Sequence, residues 1–148
     1  MDAPCHFLPQ GASIDQVELF RCVGPCQVVR ASGRLGVPWV KSLGELAGKR
    51  LLVQGEVELS LEAAEELARP GPYLRGVEGM TVGPLSDPGP VHRALLGAQV
   101  ALLESCDLSG VEPGRYFLAA QPLKWEGLDG APVRAVLLQE EEEKEGSL

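Results

Sequence analysis

Apolar residues recur along this chain at every second position in some stretches and every third or fourth in others, and the changes of period mark its elements. Residues 5–16 keep no period, because Pro9, Gly11 and Ser13 interrupt it, and a loop is expected. Gln27-Val28-Val29-Arg30-Ala31, set between Gly24-Pro25 and Ser32-Gly33, predicts a strand. Gly36 to Gly48 is mixed, with a helical turn expected over Ser42 to Ala47. Leu51-Leu52-Val53 followed by Val57 and Leu59 predicts one strand over 50–59, bent near Gly55. Ser60 is an N-cap residue ahead of Leu61-Glu62-Ala63-Ala64-Glu65-Glu66-Leu67-Ala68, the clearest helix, which stops before Arg69-Pro70-Gly71. Residues 69–90 hold much of the Gly and Pro and are not expected to be regular throughout. Pro90 opens a second helix, Val91 to Gly97, that runs into a strand over Val100 to Glu104. Arg115 to Leu123 and Val133 to Leu138 are two further strands, the second so apolar that burial on both faces is expected. The class is therefore α/β with a β-rich core and few helices.

Composition narrows this picture. Apolar residues make up 45% and charged residues 23% of the 148, which excludes wholesale disorder, and the 18 Gly and 12 Pro exclude a long-helix bundle. The length suits one domain, residues 1–139, followed by an acidic disordered tail, 140–148, that carries about half of the net charge of −8. That charge argues against a nucleic-acid partner. Met1-Asp2-Ala3-Pro4 has no signal-peptide pattern, and the longest nearly apolar stretch, Ala94 to Leu103, is far below membrane-spanning length, so no membrane partner and a cytoplasmic location are expected. Cys5, Cys22, Cys26 and Cys106 form no C-x-x-C pair and read as reduced thiols.

Candidate chemistry is confined by the two histidines. Asp2 and His6 lie four apart around Pro4, which keeps the loop extended and can aim both side chains at one centre. His92 and Glu104, twelve apart, belong to a helix-turn-strand unit that can also bring two ligands together. Aspartate, histidine and glutamate suit zinc or manganese. The plain alternatives are a surface histidine near a terminus for His6 and a helix-start residue with a satisfied ring for His92. Glu104 ends an apolar strand, where a carboxylate needs a partner. Cys5 is a poor nucleophile candidate, because neighbours in an extended loop point opposite ways.

The segment Asp2-Ala3-Pro4-Cys5-His6-Phe7-Leu8-Pro9-Gln10-Gly11-Ala12-Ser13-Ile14-Asp15 resembles the metal-binding segment H-x-G-T-H-x-D-x-P-x-H-F of the cyclase family of metal-dependent hydrolases, which includes bacterial kynurenine formamidases and isatin hydrolases. Ser60 to Ala68, Gly79 to Glu104 and Cys106 to Leu138 are similar to three further family blocks in the same order. The resemblance implies a swivelling β/β/α architecture with a barrel-like mixed sheet, a homodimer, and hydrolysis of a small-molecule amide such as N-formylkynurenine to kynurenine and formate. It implies Asp2, His92 and Glu104 as metal ligands and His6 as the histidine that moves a proton. Met1 falls at the variable position before Asp2, so an N-terminally truncated member is expected, with one zinc or manganese ion where the intact family holds two. The alternatives are an inert binding or dimerisation module and a hydrolase of another small cyclic amide.

Overall fold

The computed structural model describes residues 1–139; the expected acidic tail, 140–148, lies outside them. Eight strands and four α-helices follow one another as α1 (Leu19–Cys22), β1 (Val23–Arg30), β2 (Gly33–Leu35), α2 (Val37–Ser42), β3 (Arg50–Gln54), β4 (Val57–Leu59), α3 (Leu61–Leu67), β5 (Leu74–Val77), α4 (Gly89–Gly97), β6 (Ala101–Leu103), β7 (Gly114–Ala119) and β8 (Val136–Leu138). Six strands form one mixed sheet in the order β6-β5-β3-β1-β7-β8, and β2 pairs with β4 in a small second sheet. Neighbours from β6 to β1 are parallel, with Leu74 opposite Ala101, Arg50 opposite Leu74 and Val28 opposite Leu52, whereas β7 and β8 add antiparallel. This is the expected mixed α/β class. The pairings run in an open order from β6 to β8, and a barrel-like closure is not among them in the described residues.

Residue alternation puts the core on both faces of the parallel strands. Leu51, Val53, Val77 and Leu102 face α3 and α4, where Ala64, Leu67, Leu95 and Leu96 complete one cluster. Leu52, Leu74 and Leu103 face the other way and pack with Leu108 and Leu118. Each such leucine, taken fully out of water, contributes about 1.5–3 kcal/mol. Helix α3 begins where Ser60 Oγ accepts the Ala63 N–H at 3.2 Å, and α4 has Pro90 in its first turn. It ends before Gln99, which adopts a left-handed conformation (φ 61°) and turns the chain into β6.

Several expectations needed correction. The stretch 50–59 is two strands in two sheets, because Gly55 (φ 107°) passes so close to the Ala31 carbonyl that no Cβ fits, and the chain turns there. The helix of the 36–48 region is Val37–Ser42, with Pro38 in its first turn, rather than a turn at 42–47. The Gly/Pro-rich 69–90 region is not regular throughout, as expected, yet it holds one strand that its composition hides, β5, every residue of which is buried. β8 is not buried on both faces: it is an edge strand with Val136 and Leu138 exposed. All four cysteines are free, and no helix among the described residues is long and apolar enough to cross a membrane.

Candidate metal centre

The unit β5–α4–β6 builds most of the site. Glu104 follows the carboxyl end of β6, and residues 78–88 leave the carboxyl end of the parallel neighbour β5, where open α/β sheets form their crevices. His92 lies on the face of α4 turned to the core, only 2% exposed. Asp2 arrives from the far end of the sequence. Its backbone bridges Leu102 of β6 on one side, donating to the Leu102 carbonyl at 2.8 Å, and Gly130 on the other. Gly130 is required there, since a Cβ would stand 2.9 Å from the Met1 carbonyl oxygen.

These placements bring Asp2, His92 and Glu104 together, with one ligand atom of each within 4.8 Å of the others. His92 Nε2 lies 3.0 Å from Glu104 Oε1 and 3.5 Å from Asp2 Oδ2. The other ring nitrogen, Nδ1, faces the Pro88 carbonyl at 2.8 Å. A carbonyl only accepts, so Nδ1 carries the hydrogen and Nε2 is turned to the carboxylates, as for an imidazole oriented to ligate through Nε2. Burial alone pulls the His92 pKa down, but contacts with Asp2 and Glu104 and the bond to Pro88 outweigh it and raise the pKa to about 9. Glu104 Oε1 also accepts the Val82 N–H at 2.9 Å.

The residues fit a divalent cation on two counts. Asp2 Oδ2 is buried and makes no hydrogen bond, a costly state for a carboxylate oxygen that a cation would relieve. Two carboxylates and one imidazole are also a donor set for a hard or borderline ion.

His6, expected beside the metal rather than on it, lies outside the cluster. Its ring is 6.4 Å from that of His92, and Phe7 flanks the pair, packing against both rings. Its Nδ1 is 2.7 Å from Asp129 Oδ2. Sequence reading missed Asp129, whose Asp-Gly step looks like a turn, and Arg75, hidden in an apparent loop. Arg75 is fully buried on the sheet face of Leu51 and Leu102, and its Nη1 donates to the Val82 carbonyl at 3.2 Å. Burial lowers its pKa to about 10 and the Glu104 charge opposes that, so it remains a cation at neutral pH. Val82 is thus held by Glu104 through its N–H and by Arg75 through its carbonyl.

No family model matches the chain. Kynurenine formamidase of Salinibacter ruber is 35% identical over 154 residues, an alignment that spans 93% of this chain and 73% of the relative. A solved structure described as a potential metal-dependent hydrolase with cyclase activity superposes with a TM-score of 0.85 at 28% identity, covering 92% of this chain and 75% of that one. Isatin hydrolase A from Ralstonia solanacearum shares the fold, with a TM-score of 0.79 at 23% identity over 93% of this chain and 70% of its own. With that degree of identity over most of both chains, and a carboxylate–imidazole cluster suited to a cation, the chain belongs to the kynurenine formamidase family of cyclase-like metal-dependent hydrolases.

Proposed function

We propose that the chain hydrolyses the amide bond of a small formamide, N-formylkynurenine being the first substrate to test, with a zinc or manganese ion held by Asp2, His92 and Glu104. The observation that carries this reading is the convergence of those three side chains, His92 buried and both carboxylates half-buried, around a buried Asp2 oxygen without a hydrogen-bond partner, in a member of this family. A divalent ion at that place supplies Lewis-acid chemistry, polarising an amide carbonyl and making water acidic enough to react near neutral pH. The chain's own groups do the rest. Pro88 fixes the His92 ring, Val82 fixes Glu104, and the Leu102 bridge fixes Asp2. His6 takes the proton from the attacking water and returns it to the amine nitrogen as the C–N bond breaks, so that amine and formate leave.

The same reading places residues 1–139 in one cyclase-like domain of a cytoplasmic homodimer. Support for self-association comes from the β7–β8 end of the sheet, where Phe117 of β7 and Val136 and Leu138 of the edge strand β8 are exposed. Formate release from N-formylkynurenine, with zinc or manganese added in turn, tests the function. The expected result is turnover that disappears in a His92→Ala, Glu104→Ala double variant together with the bound metal. Equal formate release by the double variant would overturn the assignment.

A further inference from the structure

His6 is held by more than its neighbour in sequence. Phe7 packs edge-on against its ring at 4.7 Å and 88°, and Asp129 Oδ2 takes its Nδ1 at 2.7 Å, a length typical of a charge-assisted bond. The Asp129 side chain is 62% exposed, and the hydrogen bond from His6 holds its carboxyl below the usual carboxylate range. A solvated pair of this kind contributes little to folding. Its geometry is nevertheless fixed with care. Asp129 accepts the Ala3 N–H at 2.9 Å through its own carbonyl, Gly130 bridges Asp2, and Ala131 exchanges hydrogen bonds with Met1 at 2.9 and 3.1 Å. One short ladder therefore sets both the metal-ligand candidate Asp2 and the carboxylate that meets His6.

The chemical consequence follows from what a carboxylate can do. An ionised Asp129 only accepts, so the neutral His6 ring must carry its hydrogen on Nδ1. Nε2 is then left with its lone pair, and it makes no hydrogen bond among the described residues. A general base needs that lone pair, and the ring stands 6.4 Å from His92.

We propose that Asp129 is a positioning residue for the reaction, fixing the tautomer and the orientation of His6 so that Nε2 faces the reacting atoms as a base. This rests on the reading of His6 as the proton carrier, and the two can fail separately. The test uses the 148-residue chain, whose only histidines are His6 and His92, so that nitrogen-15 shifts resolve each ring. At a pH where His6 is neutral, the wild-type ring is expected to show a protonated Nδ1 and a bare Nε2. In Asp129→Ala the His6 ring should shift toward the Nε2–H form while His92 is unchanged. Formamide turnover should fall by roughly 10-fold or more in kcat, a loss at least on the scale seen when the hydrogen-bond partner of a metal-bound imidazole is removed. KM, metal content and melting temperature should stay at wild-type values, which a merely structural role would not predict. The double variant with His6→Ala should be no slower than His6→Ala alone. An unchanged His6 tautomer in Asp129→Ala overturns the proposal even if the chain is inactive, and so does an additive double variant. If His6→Ala keeps full turnover, the shuttle reading falls and Asp129 loses its catalytic part with it.

Discussion

His92 concentrates the residue-scale physics of the site. Without a bound ion its imidazole sits between two carboxylates, with its pKa raised from 6.5 to about 9. A histidine whose folded pKa is raised stabilises the fold below its unfolded pKa, and that contribution is lost as pH rises through the folded value. The chelator-treated protein is therefore expected to lose melting temperature between about pH 6.5 and pH 9, with His92→Gln losing this slope. A metal competes for the same nitrogen, so uptake at neutral pH must expel a proton. Apparent affinity should then drop by about tenfold per pH unit below 9 on account of this group, which titrations at several pH values measure directly. His6 makes a different prediction. Replacing it with alanine should slow formamide hydrolysis by roughly 10²–10⁴-fold and leave the metal content intact. Metal lost along with rate would make His6 a ligand, and an unchanged rate would remove it from the reaction.

At the scale of elements, each ligand is as secure as the short structure that carries it. Helix α4 delivers His92, and its start depends on Pro90 and its end on the left-handed Gln99. Helix α3 packs against α4 but contributes no ligand. Ser60→Ala, which removes the α3 cap, is therefore expected to cost about 1 kcal/mol of stability with metal binding unchanged. Gly130→Ala should behave in the opposite way. Its Cβ would meet the Met1 carbonyl at 2.9 Å and push the 1–3 segment away from the ladder, so metal affinity should fall more than melting temperature does. Comparing the two variants by calorimetry and by metal titration separates loss of an element from loss of its placement. The same scale explains the missed strand β5. Strand propensity is weak against Gly and Pro, and what makes 74–77 a strand is its place between β3 and β6.

For the whole molecule, the site ties the two ends of the described chain to the middle. Met1–Ala3 pairs with residues 129–131 and, through Asp2, with β6, so an ion held by Asp2, His92 and Glu104 links segments from across the sequence. Binding to the folded form alone should raise stability by about 2.7 kcal/mol at a hundredfold excess over Kd. A melting-temperature rise with zinc or manganese, absent in His92→Ala, is the expected signature. The amino-acid sequence by itself determined the α/β class, the capped helix at Ser60 and the helix–turn–strand unit that places His92 near Glu104, because these follow from local period, capping and spacing. The family motif also picked out Asp2 and His6. Tertiary structure alone decided the rest. The division of 50–59 between two sheets depends on the crowding of Gly55 against Ala31, and the exposure of Val136 on its edge position. Val82, which Glu104 and Arg75 both hold, and Asp129 against His6 join segments 22 and 123 residues distant in the chain, and no local pattern encodes contacts at such separations; they exist because the sheet order and the 1–3/129–131 ladder bring those segments together.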